Sequence, residues 1–388
     1  MKKIIVMTLL LFTFSTLVAS ANFNDVSEHW AKAHIDWAVS EGYISGYPDG
    51  TFRPDATITR AEFTSILKRV SDLEVSNKQS SFTDITNHWA KDEVMAAVAA
   101  GVIVENEYGT AFQPDTPISR LEIAKMIARA LAIDEKYKTL LDSFKSLYNG
   151  DLPLIDYREF KQDDVPHLAM VFGARIMNGY PDSSFRIEEK ATRAEATTML
   201  HIYHTAKNNT PENYQYLNEM EEVALYGTNA QTISNLERAK NIQTDNMTLD
   251  HNNYTATLKR AYIIPIKGDI VSMYERKFLW DRSNLEDRYL NADAYVIGVA
   301  DVTFKKDGGR SLYFQSLMMY PSSAFGDAQA SKQFDFIFPW MYEDVKVKKN
   351  STYEIVLYGS MRKDYNSSDF NVGENQIYIL SNLNKGTE

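Results

Sequence analysis

Residues 59–62 read TRAE, residues 119–122 read SRLE and residues 192–195 read TRAE. Each tetrapeptide has the form of a capping box. A Thr or Ser hydroxyl accepts a hydrogen bond from the backbone N–H three residues on, and a glutamate there reaches back to the cap residue's own N–H. Thr59 with Glu62, Ser119 with Glu122 and Thr192 with Glu195 therefore mark three helix starts, and capping explains all six residues. It does not explain the arginine. Arg60, Arg120 and Arg193 fall at the first helical position. There a positive charge faces the positive end of the helix dipole, which is unfavourable by roughly 0.3–1 kcal/mol when exposed. Two readings stay open. Each arginine pairs with a nearby acid such as Asp49 or Asp55, or guanidinium and free helix N–H groups together form a pocket for an anion.

Working outward, the surrounding sequence repeats. Residues 23–70 contain FNDVSEHW, GYISGYPDGTFRPD and ITRAEF, and residues 82–129 contain FTDITNHW, AFQPD and ISRLEI in the same order. A third copy, ARIMNGYPDSSFRIEEKATRAEATTML over 174–200, is recognisable mainly in its second half. Its first half, near Asp163 to Val171, has lost the tryptophan. Each unit predicts a first helix from His29 or His88, with apolar and small residues at helical spacing and Gly42 or Gly101 at its end. A tight turn follows, with proline and small polar residues in turn order at Tyr47-Pro48-Asp49-Gly50 and Tyr180-Pro181-Asp182-Ser183. The capping box then opens a second helix.

These motifs (FxD-x4-W, GYPDGTFRPD and ITRAEF) resemble the S-layer homology (SLH) domain family, over about residues 22–205. The resemblance implies a mostly α pseudo-threefold spindle with grooves between the units that bind cell-wall polymer, typically a pyruvylated secondary polysaccharide. It implies that Arg60, Arg120 and Arg193 recognise the acidic sugar, with Gly46, Tyr47, Asp49, Gly179, Tyr180 and Asp182 as groove residues. The first unit keeps the whole pattern. In the second, ENEYGT replaces GYPDGT; in the third, Ser183 replaces glycine. The grooves are expected to be unequal. Trp30 and Trp89 admit two roles, sugar-stacking platforms or core residues, and their place near helix starts favours packing.

The whole chain agrees with a secreted surface protein. Its 388 residues carry 41 Lys+Arg against 52 Asp+Glu, a formal net charge of -11 that disfavours nucleic acid and anionic membrane as partners. There is no cysteine, which excludes disulfides, thiol catalysis and cysteine metal sites. Lys2-Lys3, an apolar run from Ile4 to about Val18, and Ala19-Ser20-Ala21 read as a cleavable export signal over 1–21. No later run is long enough to span a membrane. The expected divisions are 22–72, 79–133 and 134–205 for the three units and 206–388 for the rest.

Beyond residue 206 the pattern changes. Residues 207–213 read as a linker or a helix start, and 212–242 as helix with Tyr216, Leu217, Met220, Val223 and Leu225 as its apolar set. Segments 254–265, 269–280, 293–305, 311–317, 334–339, 352–361 and 375–381 are rich in aromatic and β-branched residues and predict a β-rich, sandwich-like domain. The overall fold class is thus α+β, multidomain. The aromatic block Tyr313, Phe314, Met318, Met319, Tyr320, Phe334, Phe336, Phe338 and Trp340 reads as sandwich core rather than a binding face. No GxSxG, HExxH or GxxxxGK[ST] occurs, and His251 is the one histidine after residue 205. His201 and His204 read as surface or packing residues. No cofactor or metal is expected, and the chain reads as a non-enzymatic anchor. A wall-associated hydrolase, its carboxylate pair within 212–388 drawn from acids such as Glu221, Glu222 or Asp301, and an S-layer lattice subunit are the alternatives.

Overall fold

The computed structural model describes residues 23–74, 80–234, 237–238, 240–266, 269–278, 294–307, 317–320, 348–361, 367–372 and 375–381. The export signal and most of the aromatic block lie outside them. The repeated half supplies α1 (Lys32–Ser40) and α2 (Arg60–Val70), α3 (Lys91–Ala99) and α4 (Arg120–Leu131), α5 (Glu135–Ser143), then α6 (Val165–Gly173) and α7 (Arg193–Lys207). All three capping boxes are closed, with the hydroxyls of Thr59, Ser119 and Thr192 accepting from the N–H of Glu62, Glu122 and Glu195. The first helix of each unit leaves through a left-handed residue: Gly42 at φ 72°, Gly101 at 74° and, in the third unit, Arg175 at 58°.

Three backbone hydrogen bonds close the units into a ring. The N–H of Ile58 donates to Ala191 O (3.1 Å), that of Ile118 to Ile58 O (3.0 Å) and that of Ala191 to Ile118 O (3.2 Å). All three residues are fully buried. The helices follow the same cyclic order: α2 packs on α3, α4 on α6 and α7 on α1.

The FxD signature has a physical role. Asp25 accepts from the N–H of Phe52 and Arg53, Asp84 from Phe112 and Gln113. These paired amides hold Arg53 and Gln113 in the left-handed region (φ 57° and 53°), a conformation that costs a non-glycine residue roughly 1–2 kcal/mol. In the third unit the counterpart is Asp156, which accepts from Phe185 and Arg186. The first half of that unit therefore begins earlier than the expected Asp163. An inserted stretch between Asp156 and α6 hides the match.

Residues 207–213, read as a linker or a helix start, are the end of α7, a short turn and a single 3₁₀ turn at Pro211–Asn213, which leads into α8 (Gln215–Tyr226). After it come α9 (Ala230–Ile233), β1 (Glu237–Arg238), β2 (Thr248–Asp250), β3 (Tyr254–Pro265), α10 (Glu275–Phe278), β4 (Ala294–Phe304), β5 (Leu317–Tyr320), β6 (Thr352–Met361), β7 (Ser367–Val372) and β8 (Asn375–Ser381). They form two four-stranded antiparallel sheets, ordered β2-β3-β4-β6 and β1-β8-β7-β5. β3, β4, β6 and β8 match expected strands closely. Segment 269–280 does not: its described residues make a turn and α10, because Tyr274 and Phe278 pack on the Tyr262 ring from outside the sheet.

β3 alternates buried and half-buried residues up to its bulge near Leu258 to Arg260, and beyond it nearly every residue is buried. That end is covered on both faces. Tyr262 and Ile264 join the core of the repeated units, and Ala261 and Ile263 join the second half's own core. The join is also ionic. Asp151, fully buried, accepts from Arg260 Nε and Nη2 (both 2.8 Å), Tyr262 Oη (2.7 Å) and the Tyr148 N–H (3.0 Å). Lys277 donates to the Gly150 carbonyl.

Candidate functional site

The three motif arginines occupy equivalent places, and each faces the next unit rather than its own. Arg60 donates from Nε to Glu122 (2.6 Å) and from Nη1 to the Phe112 carbonyl (3.1 Å). Arg120 donates to the carbonyls of Phe185 (2.9 Å) and Asn178 (3.2 Å), and Arg193 to those of Phe52 (3.0 Å) and Ser45 (3.4 Å). Arg193 Nη1 also lies 3.6 Å from Glu62. Neither expected acid is involved: Asp49 pairs with Arg53, and Asp55 with His29. The carboxylates that meet Arg60 and Arg193 are the capping-box glutamates of the neighbouring unit.

The free helix N–H groups expected beside the arginines are taken. The amides of Arg60, Arg120 and Arg193 donate to Thr116, Glu189 and Ala56, and those of Ala61, Leu121 and Ala194 to Pro114, Ile187 and Pro54. The third amide in each helix goes to the cap hydroxyl. A guanidinium is tolerated at the positive end of the dipole because carbonyls of the next unit converge on it. Arg120 and Arg193 are 4% and 5% exposed, so their first task is to join units.

Each joint also carries an aromatic ring. Tyr47 lies beneath Arg53 (3.9 Å) and Arg193 (5.0 Å), and Tyr180 beneath Arg186 (4.0 Å) and Arg120 (4.8 Å). In the second unit Tyr108 supplies the ring for Arg60 (5.3 Å) despite the altered loop. Asp49 and Asp182 fold back on their own turns, accepting from Thr51 and Ser184 and pairing with Arg53 and Arg186. Hydrogen bonds from those hydroxyls, backbone amides and guanidiniums hold each carboxyl down at about 2. Gly46 is required by close approach, since a Cβ there would meet the Phe23 ring and the Thr51 carbonyl; one at Gly179 would meet Leu154 and the Ser184 carbonyl.

Where these parts meet, the first unit has a groove of about 230 Å³ lined by Gly46, Tyr47, Glu62, Arg69, Trp89 and Arg193. The tryptophans are not core residues. Trp30 is 63% and Trp89 60% exposed, because the first helix of each unit turns its buried side elsewhere, through Ala31 and Ile35 or Ala90 and Val94. Trp89 thus offers a ring face to the groove. Arg69 extends along the same wall and donates to the Tyr43 carbonyl and Ser65 Oγ, with no carboxylate partner among the described residues.

The second unit's corresponding cations are already neutralised. Arg129, nine residues past its motif arginine as Arg69 is, donates to both oxygens of Glu107 (2.9 and 2.7 Å). Lys125 bridges Glu107 (3.3 Å) and Asp164 (2.7 Å). Burial pushes the Glu107 carboxyl up, but Arg129 and Lys125 outweigh it and hold it below its ordinary value. At the corresponding tryptophan position the third unit has Asp163. In that unit Ile202 stands where Arg69 and Arg129 stand in the others.

Sequence reasoning missed Arg69 and Arg129, although their shared offset from the motif arginine was a usable signal. It also missed Asp156 and Tyr108, which are displaced by insertions. Two of the three candidate catalytic acids have structural partners: Glu222 accepts from the N–H of Gln231 and Thr232 and from Arg238, and Asp301 lies 3.5 Å from Lys259, whereas burial and nearby Glu212 push the Glu221 carboxyl up. His201 and His204 pack at the α1–α7 contact, where Trp37 stacks on His201 at 4.1 Å.

Residues 22–64, 81–124 and 164–197 match the family model described as S-layer homology domain. The chain carries three SLH units. Among its relatives, the exoglucanase XynX of Acetivibrio thermocellus is 30% identical over 194 residues, half of this chain and 17% of that protein. The S-layer protein EA1 of Bacillus anthracis is 35% identical over 132 residues, 33% of this chain and 15% of that protein. The cellulosome-anchoring protein of Acetivibrio thermocellus is 35% identical over 119 residues, 29% of this chain and 26% of that protein. This chain therefore spans about a quarter or less of each. These matches mark it as a cell-surface protein. Among the described residues no helix is long and apolar enough to cross a membrane.

Proposed function

We propose that the SLH units, taken as 22–72, 79–133 and 134–205, form a pseudo-threefold spindle. It holds the protein non-covalently on the bacterial cell wall by binding an anionic, pyruvylated secondary polysaccharide. The observation that carries this reading is the first unit's groove, where exposed Trp89 stands beside the cations Arg69 and Arg193 and the turn residues Gly46 and Tyr47. A pyruvate ketal bears a carboxylate, which suits charge-assisted hydrogen bonds, and a pyranose ring suits the indole face. The first groove dominates. In the second, Glu107 and Asp164 compete with any incoming acid, and the third unit has Ile202 in place of a cation. Residues 206–388 are a binding or structural domain, its two sheets arranged as a sandwich and docked on the third unit. Two acids that a hydrolase in this half would draw on, Glu222 and Asp301, already hold structural partners.

Co-sedimentation with purified walls tests the reading. The protein is expected to be retained by intact walls and released from walls stripped of pyruvate. Equal retention on both would redirect the assignment to a different polymer.

A further inference from the structure

The turn of the third unit has a second side, away from its motif arginine. In the first unit that side is a depression of about 350 Å³ formed by residues such as Phe23, Val39, Gly42 and Tyr47. In the third, Leu154, Phe172, Arg175 and Tyr180 take those places, and the second half of the chain adds a wall through Tyr216 of α8 and Val271 to Glu275. The cavity measures about 390 Å³, within the range of roughly 300–1,000 Å³ usual for small-molecule sites.

Arg175 marks it as more than leftover space. It stands where the other two units have Gly42 and Gly101 and keeps their left-handed conformation, at φ 58°. A side chain there is strained. Arg175 is exposed at the cavity mouth; its guanidinium lies over the Tyr216 ring at 5.1 Å and has no ion pair among the described residues. Around it the lining offers the half-buried ring of Phe172, the exposed Asn178 and the carboxylate of Glu275. One unpaired cation, hydrogen-bonding groups of both signs and two aromatic rings match a pyranose that carries an acid group.

We propose that this cavity is a second saccharide site, in which α8 and residues 271–275 complete the third unit's turn around one acidic hexopyranose. Arg175 takes the carboxylate, Asn178 and Glu275 take ring hydroxyls, and Tyr216 and Phe172 cover the C–H face. The choice of ligand rests on the wall-polymer reading above. The site is separate from the first unit's groove and shares none of its residues.

Calorimetric titration of the full chain tests it. The probe is a methyl hexopyranoside carrying a 4,6-pyruvate ketal, with the same glycoside lacking the ketal as control. Two binding events are expected for the ketal and a loss of roughly tenfold or more at the second for the control. Arg69→Ala with Trp89→Ala removes the first event only. Arg175→Gly relieves the backbone strain, so it weakens the second event roughly tenfold or more while leaving the melting temperature equal or higher. A second event unchanged in Arg175→Gly, or absent while the first remains, overturns the inference alone. A second event without the first overturns the groove reading and keeps the inference, and absence of both overturns both.

Discussion

The turn at Tyr47–Thr51 and the turn at Tyr180–Ser184 are built alike and placed differently. In both, the tyrosine N–H donates to the carbonyl four residues on (2.8 Å), an aspartate pairs with an arginine four residues later, and the tyrosine lies between two guanidiniums. The first turn remains open, with exposed Trp89 and Arg69 at its edge. The third lies against the second half of the chain, which rests on the stretch around Asp151 that precedes Asp156. The difference teaches that one turn design serves both a solvent-facing groove and an internal interface. In the third unit the stretch around Asp151 carries the docked β-rich domain, on a frame that, in the first unit, is left to solvent.

The harshest way to break the comparison is to undo that docking. Asp151→Ala leaves Arg260 buried without its partner, an outcome that typically destabilises by about 3–5 kcal/mol. Urea or thermal unfolding should show a loss of that order, whereas Asp49→Ala, in the exposed first turn, should cost far less. Equal losses would mean that the ionic join does not hold the two halves together.

The next effect falls on binding. Arg69→Ala or Trp89→Ala should each reduce affinity for purified walls roughly tenfold, the scale of a lost hydrogen bond to a charged group or of a lost aromatic contact. Arg129→Ala, at the same offset in the second unit, should leave affinity within about twofold because Glu107 already engages that cation. The dominance of the first groove fails if the two arginines matter equally.

Much of this was readable beforehand because local rules carry it. The capping boxes, Gly42 and Gly101 as helix ends, and the period-two segments that became β3, β4 and β6 all depend on neighbours in sequence. What escaped depends on neighbours in space. No local pattern reveals that helix amides beside Arg60 are taken by Thr116 and Pro114, or that Trp89 faces outward while its successor Ala90 is buried. Segment 269–280 has strand-like composition, yet Tyr274 and Phe278 pack against the sheet rather than extend it. Asp156 was hidden because an insertion changed its spacing to the following helix.

The second unit offers a smaller, constructive test. Glu107→Gln removes the carboxylate that holds Arg129 and leaves Lys125 paired with Asp164 alone. The variant should bind walls a few-fold more tightly and raise the saturating amount of the ketal glycoside. Unchanged binding would show that the missing tryptophan, not the carboxylate, silences that groove.

The smallest expected effect lies where the first and third units touch. His34 Nδ1 and His201 Nδ1 are 2.9 Å apart, with Trp37 stacked on His201 and His204 close by. One ring must donate and the other accept, so both cannot be charged without losing the bond. Burial holds both imidazoles below their ordinary range, and His201 is lowered further by His34 and His204. In the unfolded chain they titrate near about 6.5. As pH falls through that value the unfolded state binds more protons than the folded one, so stability declines. The urea midpoint should be lower at pH 5 than at pH 7.5, and the gap should narrow in His201→Phe, which keeps a ring for Trp37 but cannot take a proton. A gap of the same size in that variant would place the acid sensitivity elsewhere, and the contact between the two units would then rest on packing alone.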